Sequence, residues 1–387
     1  MPTRNSSPDL LVIGAGVVGA ACAYYAARCG LSVTVIDRGP VAGGTTGGGE
    51  GNLLVSDKEP GPELQLALYS TQLWRELAEV LPARIEYEPK GGLVVASEQE
   101  GMTALRDFAA RQAKAGVTAE AVPADRLRDL EPHLAPGLAG GIHYPQDAQV
   151  QPALAAAQLL RAGGDRVRLR LGAEVTDLLI GARGEVRGVR TSSGDLHAPY
   201  VVNAAGTWGG ELARRAGVRL PVRPRRGFVL VTEPLPRVVR RKVYAADYVA
   251  DVASDSAALQ TSAVIEGTPA GPVLIGASRE RVGFDRSLSV EALSRLAAQA
   301  VRLFPVLATV RALRTYAGFR PYLPDHLPAI GPDPRRPGLL HACGHEGAGI
   351  GLAPATGRII AETLAGGAVP LDITPFRPDR FDGGGTP

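Results

Sequence analysis

Gly14, Gly16 and Gly19 fall within Asp9-Leu-Leu-Val-Ile-Gly-Ala-Gly-Val-Val-Gly-Ala20, where an apolar run that predicts a strand meets the start of a helix. Their spacing suits a pyrophosphate. Gly14 permits the tight turn, Gly16 lets backbone amides come close to phosphate oxygens, and Gly19 allows helix and strand to pack closely. The unpaired N–H groups at the helix start, and the positive end of its dipole, attract anions. Asp37 closes a second apolar run, Leu31 to Asp37, 18 residues after Gly19. A carboxylate at that distance can accept hydrogen bonds from a ribose. These residues predict a dinucleotide site, and the motif by itself suits NAD and FAD equally.

Such a site needs flanking elements to hold it. The run Gly43 to Asn52 is too glycine-rich for regular structure and reads as a ligand-wrapping loop. Pro62 opens a helix to about Leu81, on the period of Leu64, Leu68, Leu77 and Leu81. A strand is expected at Gly92 to Ala96, helices at Met102 to Ala115 and Ala124 to Leu130, and a strand near Gly141 to Tyr144. Pro152 starts another helix, and from Val167 short strands alternate with glycine turns. They lead into Tyr200-Val-Val-Asn-Ala-Ala-Gly-Thr-Trp208, a buried strand ending in small residues. From Arg223 to about Thr315 the chain is β-rich, with one helix near Val290 to Phe304 and no phosphate-type loop. The closing strand and helix, Leu339 to Leu364, return to the small-residue style of the N-terminus.

Composition narrows the function classes. The chain has 387 residues, 45% of them hydrophobic, and a net charge of only +3. That is enough for about two domains around sizeable cores. No apolar run is long enough to span a bilayer, and the first residues lack a secretory pattern, so a cytoplasmic location is expected. Cys22 and Cys29 lie too far apart along one helix for a disulfide, and Cys343 is isolated, which suits neither a zinc site nor a disulfide framework. Only four basic residues are lysines (58, 90, 114 and 242). With no basic block interleaved with aromatics, nucleic-acid binding is not expected. The densest basic stretch, Arg223, Arg225, Arg226, Arg237, Arg240 and Arg241, reads as a solvated surface or a charged protein interface.

Four segments together resemble the FAD-dependent D-amino-acid oxidase superfamily, particularly its glycine oxidase, sarcosine oxidase and hydroxyproline dehydrogenase branches. They are GAGVVG with Asp37-Arg38, the loop Thr45-Thr46 through Glu50-Gly51-Asn52, Val175 with Ala204-Ala-Gly-Thr-Trp208, and Gly344-His-Glu-Gly-Ala-Gly-Ile-Gly-Leu-Ala-Pro354. The resemblance implies an α/β fold: a discontinuous Rossmann-like FAD-binding domain of the glutathione-reductase type (1–85, 145–220 and 325–387). An α+β substrate domain on an antiparallel or mixed sheet (86–144 and 221–324) is inserted into it.

It also implies roles. Val17 and Val18 lie at the pyrophosphate turn, Asp37 on the ribose, Arg38 beside the adenine, and Thr45 and Thr46 on the phosphates. Glu50, Gly51 and Asn52 border the flavin, Val175 offers its backbone to the adenine, and Ala205, Gly206 and Trp208 lie along the cofactor. The run His345, Glu346, Gly347, Ala348, Gly349, Ile350 and Gly351 wraps the pyrimidine edge, where amide N–H groups can stabilise developing negative charge. Arg320 matches the arginine that grips the substrate carboxylate through paired hydrogen bonds. Tyr244 and Tyr248 sit where related enzymes place a tyrosine over the substrate. His326 and Asp325 read as turn residues.

Three departures refine the expectation. Gly48 stands where sarcosine-type dehydrogenases carry a flavin-linking histidine, and no cysteine lies near Ala317, so FAD is expected to be non-covalent. Gly347 stands where glycine oxidases carry a second arginine, which leaves room for a bulkier secondary amine. The combination of Gly49 to Lys58 with Gly344 to Gly349 is most similar to flavoprotein subunits of multi-subunit hydroxyproline, proline and opine dehydrogenases, and to a hydrogen cyanide synthase subunit. It implies oxidation of an amino or imino acid, with cis-4-hydroxy-D-proline as leading substrate and electrons leaving through partner subunits. The alternative is a glycine, sarcosine or D-amino-acid oxidase that uses oxygen. No metal is expected.

Overall fold

The computed structural model describes residues 7–81, 85–248 and 256–382. A six-stranded sheet runs in the order Ala329–Pro332, Leu339–Cys343, Tyr200–Asn203, Leu10–Ile13, Val33–Asp37 and Val167–Leu171. All its pairings are parallel except that of the first two strands. The inner strands, buried on both faces, read as continuous apolar runs, Leu-Leu-Val-Ile at the centre, whereas the edge strand Val167–Leu171 alternates arginine with apolar residues and is exposed. The helix Val17–Arg28 follows the first strand, an alanine-rich segment with ten of its residues buried. It packs beside the C-terminal helix Gly349–Ala365 and the helix Pro152–Ala162. Proline stands at the N-terminus of the helices Pro62–Val80 and Pro152–Ala162, where its missing N–H would have had no partner anyway.

The second large sheet has eight strands, in the order Ala312–Tyr322, Arg223–Thr232, Val273–Arg279, Gln260–Gly267, Lys242–Ala245, Gly92–Ala96, Gly140–Tyr144 and Glu120–Pro123. It is mixed: Lys242–Ala245 runs parallel to Gly92–Ala96, and the other pairings are antiparallel. The helix Val290–Leu303 covers it, capped by the Ser289 hydroxyl, which accepts from the Ala292 N–H at 3.2 Å. A separate apolar core lies beneath that helix.

Most expected elements appear within a residue or two, including Gly92–Ala96 without change. The loop after Asp37 is more regular than expected. Thr45–Gly48 forms a 3-10 turn, and Asn52–Leu53 pairs with Ala148–Gln149. The expectation of a solvated basic stretch fails at Arg225 and Arg226, which are 1% and 4% exposed. Their guanidiniums are held by Glu346 at 2.6 Å and by Glu280 at 2.9 Å, respectively. Charge density along a sequence does not reveal that acids from distant segments will meet it. Among the described residues no helix is long and apolar enough to cross a membrane, and no cluster of ligating side chains could hold a metal ion.

Candidate active site

The first strand, the strand Tyr200–Asn203 and the strand Leu339–Cys343 all end at one edge of the parallel sheet. There the loops starting at Gly14, Ala204 and Gly344 open into a single cleft. Ligands of open parallel sheets bind at that edge. Gly14 adopts φ +114°, and a Cβ on it would lie 2.3 Å from the Ala204 carbonyl oxygen, so no other residue fits the turn. Gly16, Val17 and Val18 line the cleft where the helix begins. The Val17 N–H donates to the Thr46 hydroxyl at 3.0 Å, which ties the second loop to the phosphate turn. Asp37 accepts from Ala15 N–H and Gly39 N–H, each at 2.8 Å.

Arg38 stacks its guanidinium 4.3 Å from the centre of the Trp208 ring, at the end of the cleft that Val175 also lines. Ala205 and Gly206 border the same space, as do Thr45, Thr46, Glu50 and Asn52. Thr45 and Thr207 both donate to the Phe319 carbonyl, at 2.6 and 2.8 Å. These bonds lock the cofactor loop to the strand that carries Arg320. His345, Glu346, Gly347, Gly349 and Ile350 complete the wall. Burial pushes the His345 imidazole down to about 3, so it is neutral at physiological pH, and its Nε2 lies 2.9 Å from the Thr356 hydroxyl.

Arg320 enters the cleft from the eight-stranded sheet, where it pairs in register with Arg225. A Cβ at Gly227 would lie 2.0 Å from Arg320 Nη1, so the bare glycine makes the side chain's channel. The guanidinium donates to the Ser278 carbonyl at 2.8 Å. Burial and the neighbouring Arg279 charge push its pKa down to about 10, so it is a desolvated cation still charged at neutral pH. Tyr248 lines this end, with the Arg279 guanidinium 4.7 Å from its ring centre.

Five expected site residues do not line the cleft. Tyr244 is wholly buried in the core, where its hydroxyl meets that of Ser56 and its ring stands edge-on to Tyr248. Gly19 packs against the Gly14 carbonyl, and Gly51 against that of Val150. The Ala348 N–H closes a turn onto the His345 carbonyl, and the Gly351 carbonyl accepts from Ser70 at 2.6 Å. These glycines and the alanine shape the loops from behind.

Arg279, Arg225 and Lys242 lacked any motif and became visible only through the sheet register. His326, read as a turn residue, does adopt φ +58°, and its Nδ1 also lies 3.0 Å from Glu346. Burial pulls the Glu346 carboxyl up, but the His326 hydrogen bond and the Arg225 charge outweigh it and hold the group below its usual range.

FAD fits the residues that line the cleft. Glu50 Oε1 and Asn52 Oδ1 are buried without hydrogen-bond partners, and both residues border it. The phosphate turn presents helix-start amides, and the Trp208 and Arg38 stack offers a flat surface at the end of the cleft that Val175 lines. A Cβ at Gly48 would come within 2.8 Å of Gly318 Cα, so the structure has no space there for a longer side chain.

A dinucleotide turn and, from a mixed second sheet, an arginine lining the same cleft fit the class of flavin enzymes. A family model described as FAD dependent oxidoreductase matches residues 9–363, and the chain belongs to that family. It is 31% identical to the hydrogen cyanide synthase subunit HcnC of Pseudomonas aeruginosa, over 97% of each chain. The structure of glycine oxidase from Geobacillus kaustophilus superposes with a TM-score of 0.87 at 28% identity, over 97% of this chain and 99% of that one. L-proline dehydrogenase from P. horikoshii superposes at 0.88 over 97% and 98%, and at 24% identity this speaks to the fold alone. The protein is therefore an FAD-dependent oxidoreductase.

Proposed function

We propose that this enzyme oxidises the C–N bond of an amino or imino acid, with a proline-type ring such as cis-4-hydroxy-D-proline as leading substrate. The observation that carries this reading is Arg320, a half-buried cation lining the cleft with no carboxylate paired to it among the described residues. A partly desolvated charge without a partner is costly, and a substrate carboxylate relieves it. When bound, FAD supplies a two-electron acceptor whose N5 takes a hydride. Arg320 holds the carboxylate, and the planar pairing fixes the Cα–H direction. Tyr248 closes the same end. The loop from His345 to Ile350, leading into a helix start, presents backbone N–H groups to the pyrimidine edge.

Gly347, with only the Arg320 side chain within 3.6 Å of a Cβ placed there, leaves space that favours a ring over glycine. The two sheets draw on separate stretches of chain, which supports division into the cofactor and substrate domains at the boundaries expected above. We assign FAD as non-covalent, supported by the crowding at Gly48. Passage of electrons to partner subunits is supported by the likeness to a named synthase subunit, and a cytoplasmic location by the free thiols of Cys22, Cys29 and Cys343.

The likeness to glycine oxidase favours a second reading, an oxidase of glycine, sarcosine or another D-amino acid. Anaerobic mixing of the flavin-loaded protein with D- and L-amino and imino acids decides between them. Rapid bleaching by one proline or hydroxyproline isomer, with fast dye reduction and slow peroxide release in air, is the expected result. Bleaching by glycine or sarcosine alone, with rapid peroxide release, would replace it by the second reading.

A further inference from the structure

An amino acid at neutral pH is a zwitterion, so a site that binds it with a guanidinium must also answer its ammonium. The cleft has five carboxylates among its described lining residues. Asp37 accepts two backbone amides, Glu174 pairs with Arg38 at 3.5 Å, Glu211 with Arg215 at 2.7 Å, and Glu346 with Arg225 and His326. Glu50 differs. Its side chain is 5% exposed, and Oε1 has no hydrogen-bond partner. The nearest cation, Lys242 Nζ, stands 3.6 Å away and is already bound to Glu266. Glu50, Lys242 and Glu266 form a buried cluster of two carboxylates and one ammonium beside the cleft. A Cβ at Gly276 would lie 2.5 Å from Glu50 Oε2, so the absence of a side chain there makes space for this carboxyl.

We infer that Glu50 receives the ammonium of the substrate and accepts its proton, an inference that rests on the amine reading above. The N–H bond breaks with its electron pair left on nitrogen and its proton on Glu50. That pair then forms the C=N bond while the C–H pair departs as hydride to the oxidised flavin, leaving an iminium product. Arg320 and Glu50 together complement the zwitterion. The other ionisable groups around Glu50 are Arg320, Tyr248 and Tyr316, and the Tyr316 hydroxyl donates to the Gly49 carbonyl at 3.2 Å. Burial raises the Glu50 carboxyl above its ordinary value against the pull of Lys242, which suits a proton acceptor.

The test is anaerobic rapid mixing of holoenzyme with its best amine substrate across a pH series, for wild type and Glu50→Gln. The variant is expected to hold flavin but to react only with neutral amine. Its reduction rate should fall about 100-fold or more at neutral pH and recover roughly tenfold per pH unit towards the pKa of the amine. Wild type should show no such steep rise. If Glu50→Gln yields no flavin-loaded protein, Glu50→Asp takes its place, and slower reduction on the wild-type pH profile supports the role. A wild-type rate and profile in either variant, or an equal loss at every pH in Glu50→Gln, overturns it while the amine reading stands. Failure of every amino and imino acid to reduce the wild-type flavin overturns both.

Discussion

Arg320 occupies a channel that exists because residue 227 has no side chain, and its half-buried guanidinium lines the cleft. Its removal should therefore act on substrate and leave the cofactor in place. For Arg320→Met we expect kcat/KM to fall by a factor of about 100 to several thousand, matching the roughly 3–5 kcal/mol lost when one partner of a buried charge pair is removed. Flavin content, read from the visible absorption band, should be unchanged. Tyr248→Phe should raise KM several-fold, whereas Tyr244→Phe should leave KM unaltered, since Tyr244 is sealed in the core against Ser56. Equal effects of the two substitutions on KM would contradict their different placements.

The elements fix where the cofactor loops meet. The phosphate turn is both a conformational and a packing constraint, with φ +114° at Gly14 and the Ala204 carbonyl directly against it. Gly14→Ala must push apart two adjacent strands of the parallel sheet. Overpacking of this kind costs typically 1–3 kcal/mol, so we expect a lowered melting temperature together with lost flavin. A thermal unfolding scan reads the first, and gel filtration followed by absorbance the second. The hydroxyls of Thr45 and Thr207 share the Phe319 carbonyl, which joins the cofactor loop to the strand that carries Arg320. Thr207→Val should accordingly perturb substrate KM even though residue 207 does not line the cleft.

At the scale of the whole molecule, a buried polar seam ties the segment after Asn52–Leu53 to the second sheet. Asp147 accepts from the Val55 N–H at 2.8 Å and from the Ser56 N–H at 3.3 Å, and the Ser56 hydroxyl also reaches Tyr244 in the second sheet. Burial pushes the Asp147 carboxyl up to about 7 from an ordinary 3.8. The folded state then binds this proton more tightly than the unfolded chain. Between about pH 4 and pH 7 the group therefore makes stability fall as pH rises, by at most about 1.4 kcal/mol per unit, with the slope gone above that window. Asp147→Asn should flatten that part of the pH dependence of thermal unfolding. Ligand linkage adds to this, since free FAD at a hundredfold excess over Kd should stabilise the fold by about 2.7 kcal/mol, seen as a higher melting temperature than that of the stripped protein.

The order of elements and the cofactor edge of the site were legible in the chain itself. Gly14, Gly16 and Asp37 act through backbone turns and short spacings, and sequence records such local geometry directly. The resemblance carried Arg320 as well, because a motif marks its strand. Tertiary structure alone decided which tyrosine faces the cleft, because Tyr244 and Tyr248 are close in sequence but point into different surroundings. It also decided the fate of the arginine stretch, since Arg225 is buried by Glu346, a residue more than a hundred positions away. The same holds for Glu50. Its type and place in a loop are written in the sequence, but that it shares its cation, Lys242, with Glu266 depends on strands that meet only when the second sheet forms. Local spacing sets what a segment can bind, whereas desolvation and charge pairing depend on which distant groups the fold brings within a few ångströms.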